Sequence, residues 1–487
     1  MSKVNEKKSG LSNIYLIHCV IGLTLMFGFG FLPAFGPVTE LGMKVLGIFL
    51  GSIYMWSFVD ILWPSLLGLA ALAMSGYDSM INIMYNSFGD SVTVLVLLGM
   101  IFFGAVQDAG VTEHISKWFL TRKVINGRPI VFSFIFITCT YVLAALSASI
   151  LPPILLMWAI LYDVLKSVGY TKGEKYTSLM VIGTYFGAMV GHCAKPFVAT
   201  GLILTGAFTK VTGQEINYVS YILFGFIMAI LSIIIYCLLM KYMFKPDMTK
   251  IANISTEQFE KEHIGPMTVS QKILFFSMFG FLILMLLPGL LSPGIAKAFL
   301  GKIGNNGIAL LFIGSLCMIK INDKPLMNFN KVITNYVSWG VYFLVSMVMV
   351  LGTALTAKTT GLTELFTQVL NPILGGQSVF IFFAILLAVA LVTTNVANNT
   401  VVGVVMIPII YGFSEMNGAN LVAVTVAVIF MLHYAIVTPA ASIYAAALHG
   451  NTEWVDTKDI VYYTSIVLVF MYVLYIVVGI PLANVLF

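Results

Sequence analysis

The sequence predicts an all-α polytopic membrane protein built from two inverted-topology repeats, and three observations predict it. Apolar residues make up 60% of the 487 and charged residues only 9%, against about 25% charged in an average soluble chain. Apolar stretches of spanning length recur from one end of the chain to the other. Polar patches interrupt those stretches, and the patches of the first half come back in the second. So few charges cannot cover a water-facing surface. The net charge of +5, from 25 basic and 20 acidic residues, falls mostly between the apolar stretches, as in loops at an anionic leaflet. The bilayer is the expected partner, and nucleic acid is not.

Taken in order, residues 1–10 form a short basic tail, expected on the cytoplasmic side. The apolar run from about Ile14 to Leu32 is too long for a signal-peptide core and is expected to stay as the first helix. Further runs lie near 38–56, 60–76, 92–108, 130–165, 176–208, 217–240, 270–292, 304–319, 335–357, 377–413, 419–448 and 459–486. A single crossing takes about 20 residues. Several runs exceed that and carry Gly, Pro, Ser, Thr or Asn midway, so broken helices or re-entrant hairpins are expected, with about 11 spans in all. Residues 11–240 make the first repeat, 241–267 a polar linker and 268–487 the second repeat. The basic loop Thr121-Arg122-Lys123 to Arg128 is expected on the cytoplasmic side. The five cysteines (Cys19, Cys139, Cys193, Cys237, Cys317) lie inside apolar runs without metal-type spacing and read as small core hydrophobes; no metal site is expected. Asp60, Asp90, Asp108 and Asp163 fall near run ends, where solvation or capping suffices.

The repeat shows in three places. Gly110-Val111-Thr112-Glu113 aligns with Gly361-Leu362-Thr363-Glu364 at an offset of 251 residues, and the same offset lays Ser147-Ala148-Ser149 over Asn398-Asn399-Thr400. After an eight-residue gap, Lys195-Pro196 lies over Thr438-Pro439, and Thr205-Gly206 falls close to His449-Gly450. Two repeats joined by a polar linker are common among secondary transporters.

The patches carry the chemistry. Thr393-Thr394-Asn395-Val396-Ala397-Asn398-Asn399-Thr400 is costly in hydrocarbon unless it lines a cavity or unwinds a helix. An unwound turn offers N–H groups and amides to an anion at the positive end of a helix, and carbonyls to a hard cation such as Na⁺. Interhelical hydrogen bonding is the competing explanation. In Ala435 to Ser442, Pro439 bends the chain and frees a carbonyl beside Thr438. The first-half counterpart, Gly191-His192-Cys193-Ala194-Lys195-Pro196, puts an ammonium and an imidazole between apolar runs, where ionisable groups are functional when they face the interior.

These residues resemble the divalent anion/sodium symporter family. Its members carry a Ser-Asn-Thr motif in each repeat, a Thr-x-x-Ala leading into the second motif and a Thr-Pro after it. Here Thr394-x-x-Ala397-Asn398-Asn399-Thr400 matches with Asn in place of Ser, Pro408 follows, and Thr438-Pro439 matches the later element. The segments ending at Gly110 and Gly361 resemble the family's re-entrant hairpins. The resemblance implies a homodimer with an elevator mechanism. It implies substrate carboxylates held by Ser147, Ala148, Ser149, Asn398, Asn399 and Thr400 with Thr438 and Pro439 close by, and a second-half Na⁺ site from Thr394, Asn399 and the carbonyls of Ala397 and Val437. The first half departs from the pattern: Ser147-Ala148-Ser149 lacks the central Asn, and Lys195, with His192 nearby, stands where the other repeat has Thr438. An ammonium in place of the first Na⁺ supplies its charge without being released. The expectation is therefore a dicarboxylate exchanger of the inner (plasma) membrane. A Na⁺-coupled symporter is the alternative within the fold, and H⁺ coupling through His192 a third. A channel should show repeated rings of like charge, and the sequence has none. An enzyme is weaker still, with no HExxH, GxSxG or paired intramembrane acids.

Overall fold

The computed structural model describes residues 9–121, 127–147, 149–196, 199–253 and 265–487. Arg122 and Lys123 of the basic loop, and Glu257, Glu260, Lys261 and Glu262 of the linker, lie outside the described residues. The first half runs α1 (Ser9–Leu23), α2 (Glu40–Phe58), α3 (Leu62–Met74), α4 (Met80–Phe88), α5 (Ser91–Asp108), α6 (Val111–Leu120), α7 (Pro129–Ala145), α8 (Leu151–Ser167), α9 (Lys175–Cys193), α10 (Ala199–Thr212) and α11 (Tyr218–Leu238). The second runs α12 (Val269–Leu290), α13 (Ile295–Met318), α14 (Phe329–Asn335), α15 (Trp339–Thr356), α16 (Leu362–Leu374), α17 (Val379–Thr394), α18 (Asn399–Ser414), α19 (Leu421–Leu432), α20 (Ile443–Gly450), α21 (Thr457–Leu474) and α22 (Ile480–Leu486). The order from α12 to α21 retraces that from α2 to α11. Among the described residues, eight helices are long and apolar enough to cross a bilayer, or nine with the pair Leu362–Leu374 and Val379–Thr394, bent by 111°. Shorter apolar helices, Pro129–Ala145, Asn399–Ser414 and Leu421–Leu432 among them, occupy the interrupted runs.

The halves exchange contacts reciprocally. Helix α5 packs on α12, α13 and α14, and its equivalent α15 packs on α2, α3 and α4. Where α5 turns into α6, Gln271 Nε2 donates to Ala109 O at 2.9 Å. Where α15 turns into α16, the Thr39 hydroxyl donates to Thr359 O at 2.7 Å. Both turns go through a left-handed glycine, Gly110 (φ 74°) and Gly361 (φ 68°), a conformation cheap only without a Cβ. If i touches j and the equivalent of j touches the equivalent of i, the halves are related by a pseudo-two-fold.

The fold-back comes one element later than the glycines suggest. Helix α6 has ten residues, about 15 Å, too short to return across a membrane. Cys139 Sγ of α7, instead, lies 4.0 Å from Met157 Sδ of α8. A continuous helix would separate those residues by about 27 Å, so α7 and α8 form an antiparallel hairpin with Ser147 and Ser149 at its tip. In the second half α17 packs against α18, and Asn417 Nδ2, just past α18, donates at 2.8 Å to Leu374 O at the end of α16, just before α17 begins; the α17–α18 tip is Asn395–Asn398. The hairpins expected at Gly110 and Gly361 are thus displaced onto the polar motifs themselves.

Helix α9 is the centre of the molecule, buried from Tyr176 to Cys193. It lies against α7 through Gly183, Gly187 and Gly191, spaced four apart. A Cβ on Gly187 would come within 2.5 Å of Ile137 O, and one on Gly191 would run into the Tyr141 backbone. Small residues every fourth position allow this approach. Both contact series advance in the same sense, so α7 and α9 are parallel and their C-terminal ends meet. At the periphery α1, α12 and α13 expose apolar side chains such as Ile17, Phe276 and Leu311, as lipid-facing helices do.

Lys250, at the start of the linker, is anchored to the turn between α8 and α9. It donates to Gly169 O at 2.9 Å and to Glu174, whose nearer carboxylate oxygen is 2.7 Å away, and lies 4.9 Å over the Tyr170 ring. Desolvation pushes the Glu174 carboxyl up, but the Lys250 ammonium and the Thr171 N–H outweigh it and hold it below its usual range. A lowered carboxylate contributes stability above its ordinary range and loses it as pH falls through the lowered value. Both side chains are partly exposed, so Lys250→Ala is expected to cost about 0.5–1 kcal/mol. Thermal unfolding near neutral pH should show the loss, and well below the carboxylate range the difference from wild type should shrink.

Candidate functional site

Each half contributes a hairpin tip and a broken helix, α9–α10 or α19–α20, to one region. Four helix C-terminal ends (α7, α9, α17, α19) and four N-terminal ends (α8, α10, α18, α20) gather there. The former carry free carbonyls and partial negative charge, the latter free N–H groups and partial positive charge.

In the first half Lys195 follows the end of α9 directly. Its Nζ donates to Ala144 O at 3.0 Å and to Ser147 O, and lies 5.7 Å from the Phe103 ring centroid. The side chain is 5% exposed, so this is an interior ammonium and not one reaching for an interface. It sits at the shared negative end of two parallel helices, where a cation is most favoured. The Ser147 hydroxyl turns back to Leu143 O at 2.7 Å. His192, on the last turn of α9, is buried with Nδ1 unpartnered, its ring 6.4 Å from both His433 and Tyr444. Ala148 lies outside the described residues.

In the second half the same junction is bridged by neutral groups. The Thr438 hydroxyl donates to Asn395 O at 2.5 Å, and the Thr394 hydroxyl to Leu432 O at 2.7 Å. Asn395 is equivalent to Ala144 by the 251-residue offset, so Lys195 and Thr438 donate to equivalent carbonyls. The Asn395 side chain joins tip and break: Oδ1 accepts from Ile436 N and Val437 N at 2.9 and 2.8 Å, and Nδ2 donates to Leu391 O and Tyr434 O at 2.8 and 3.0 Å. Tyr185 of α9 reaches the same break, donating to Ala435 O at 3.0 Å. Asn398 caps α18 through Oδ1, which accepts from Thr400 N at 3.1 Å. Asn399 and Thr400 are buried, Ala397 and Val437 half-buried, and Pro439 exposed.

Further contacts cross between the repeats here. The Thr400 hydroxyl lies 3.1 Å from the Thr200 hydroxyl of α10, and the Tyr444 ring of α20 lies 6.4 Å from the His192 ring of α9. Ser149 lines a cavity of about 270 Å³ with Gln107, Leu151, Pro152, Asn335, Tyr336, Val337 and Ser338. The structure therefore places Lys195 on Ser147, Thr438 on Asn395 and Thr400 beside Thr200 of the first half, and brings His192 to His433 and Tyr444 of the second. Asn395, Thr200 and Tyr444 join them without having been singled out in the sequence. Asn395 was visible in the asparagine run; Thr200 and Tyr444 could have been found by carrying the Thr205/His449 register back five residues. Among the described residues no cluster of three or more His, Cys, Asp or Glu is placed to hold a metal ion. Hydroxyl and carbonyl oxygens around Thr394, Ala397 and Val437 are the kind of donors a hard monovalent cation takes.

Broken helices meeting tip to tip around a buried ammonium and amide-rich turns define a multi-pass membrane carrier for anions. The chain belongs to the sodium:sulfate symporter family, whose transmembrane region matches residues 13–487. Among solved structures it is similar to the YdaH transporter of Alcanivorax borkumensis, described as having an unusual topology. The two share 12% identity over 96% of this chain and 97% of that one, with a TM-score of 0.55, a likeness of fold alone. No curated protein matches the chain in sequence.

Proposed function

We propose that this protein exchanges C4–C5 dicarboxylates of the succinate, malate or 2-oxoglutarate type across the inner (plasma) membrane, without Na⁺, as a homodimer whose hairpins and broken helices move as an elevator against the remaining helices. The observation that carries the reading is Lys195 on Ala144 O and Ser147 O, at the position where the other repeat uses the neutral Thr438. A tethered ammonium provides a cation's charge in every state of the carrier. A carrier returning empty would drag that charge through a low-dielectric barrier, at a cost of several kcal/mol. A bound dicarboxylate neutralises it, so the loaded carrier moves and the empty one does not. Hairpin tips at helix N-termini suit the two carboxylates.

Na⁺-coupled symport is the second reading, favoured by the second half, where the neutral Thr394, Asn395 and Thr438 bridge the helix ends. Uptake of radiolabelled succinate into proteoliposomes separates the two. Uptake that requires internal dicarboxylate and is equal in Na⁺ and choline is the expected result. Uptake into empty vesicles driven by a Na⁺ gradient would overturn it. Competition by unlabelled malate, 2-oxoglutarate and sulfate in the same vesicles ranks the anions.

A further inference from the structure

Lys195 touches a helix on the other side of the boundary across which the carrier is proposed to slide. An ammonium carries three donors. Ala144 O and Ser147 O, both in the first hairpin, accept from it, and Nζ also lies over the Phe103 ring, 5.7 Å from its centroid. Phe103 belongs to α5, one of the helices against which hairpins and broken helices are proposed to move. Its buried ring meets Phe102 at 80° and Phe281 of α12 at 90°, and Phe281 meets Phe312 of α13 at 89°. A ring fixed among α5, α12 and α13 does not follow the ammonium when it moves.

Helix α5 borders the segment after Lys195 along its length. A Cβ on Gly206 would come within 2.5 Å of the Val92 side chain, and Lys210 Nζ pairs with Asp90 at 2.7 Å. One series rises as the other falls, so α10 runs antiparallel to α5, and Phe103 marks where Lys195 stands in this state. At the 251-residue offset the second-half equivalent of Phe103 is Ala354, buried on α15. Ring and ammonium thus occur together in the first half, and alanine and threonine stand in their places in the second. The negative face of an aromatic ring attracts a cation, most strongly when neither is hydrated.

We infer that Phe103 is a positioning residue whose ring holds Lys195 at one end of the elevator's travel and sets how quickly the carrier leaves that state. The inference rests on the exchange reading above. The contact is lost as the carrier moves off, so weakening it speeds departure and leaves the return step unchanged. In an exchanger, quicker departure from one state lowers the half-saturating concentration on that state's face and raises it on the other. The ratio of the two is the readout.

The test replaces Phe103 by mono-, di- and trifluorophenylalanine, which withdraw charge from the ring face at nearly constant shape. Succinate exchange is measured in proteoliposomes of uniform orientation, varying succinate on one face while the other is saturated. Each fluorine should move the ratio in the same direction, reaching about tenfold in the trifluoro protein, the rate equivalent of a desolvated cation–π contact. A ratio that keeps its wild-type value through the series, or changes without following ring charge, would overturn the assignment. Wild-type vesicles that exchange none of the C4–C5 dicarboxylates would sink the exchange reading and this inference with it. If the fluorinated proteins do not fold, Phe103→Leu decides. It should shift the ratio about tenfold when Lys195 is present and leave it unshifted in the Lys195→Thr protein. An equal shift in both backgrounds, or none in either, would show that the ring does not act through the ammonium and would overturn the assignment.

Discussion

Lys195→Thr is expected to turn a carrier that moves only when loaded into one that also returns empty. In vesicles holding labelled dicarboxylate and diluted into dicarboxylate-free medium, wild type should retain its label and the variant should release it. Exchange between loaded vesicles should fall at least tenfold, because the ammonium that attracts the dianion is gone. The substitution leaves Ala144 O and Ser147 O without their buried donor, but a threonine hydroxyl at the equivalent position already serves Asn395 O, so the junction can close with Thr there. A Lys195→Thr protein that still requires dicarboxylate on both sides, at wild-type affinity, would show that the ammonium is not what forbids the empty return. Release of label that now depends on Na⁺ would indicate that the vacated junction takes up the ion.

Why Lys195 can be tolerated follows from helix direction. An ammonium 5% exposed is expensive inside a bilayer unless fixed dipoles compensate it. Because α7 and α9 are parallel and in glycine-mediated contact, their two negative ends converge on one point, and Lys195 leaves α9 at that point. In the second half Thr394 and Thr438 close the corresponding junction with hydroxyls, which satisfy carbonyls without adding charge. The two halves are alike in backbone and differ by one unit of charge at equivalent carbonyls, and that difference is the basis for reading the protein as an exchanger.

Much of this was legible from residue types. The low charge content gave the membrane class, and the asparagine run and the two X-Pro steps, Lys195-Pro196 and Thr438-Pro439, marked where helices break. The 251-residue offset related the halves and aligned Ala144 with Asn395 before either carbonyl had a known partner. What the sequence did not reveal depends on direction in space. Gly110 and Gly361 are good turn residues, and they do turn the chain, but the helix after Gly110 is too short to cross. Whether a chain folds back or continues is decided by contacts such as Cys139 with Met157, eighteen residues apart, which no local pattern encodes. Thr200 and Tyr444 were overlooked for the same reason. Each touches the opposite repeat, Thr200 at Thr400 and Tyr444 at His192, so its place appears only once the two halves are brought together. Gly183, Gly187 and Gly191 were readable as a small-residue stripe, though not its partner.

Asn395→Ala is expected to be the most destabilising single substitution among the polar residues of the hairpin tips. Its amide makes four hydrogen bonds between 2.8 and 3.0 Å, two accepted from Ile436 N and Val437 N and two donated to Leu391 O and Tyr434 O. Truncation strands two buried N–H groups in a segment with no helical partners of its own. Each such bond is worth roughly 0.5–1.5 kcal/mol net, towards the lower figure inside membranes; the four together imply a loss of about 3 kcal/mol. Asn398→Ala removes only a helix cap and should cost about 1 kcal/mol. Thermal unfolding of the detergent-solubilised variants measures both. Asn395→Asp keeps the acceptor for Ile436 and Val437 but replaces the donor with a carboxylate facing the carbonyls of Leu391 and Tyr434. It should therefore be no more stable than the alanine variant, although it is closer in shape. An Asn395→Ala protein as stable as Asn398→Ala would mean that water takes over the amide's partners and that the break at Ile436–Thr438 holds its shape without it. A loss near the larger figure would establish that a single side chain fixes the second tip against the broken helix, so that the two move as one piece.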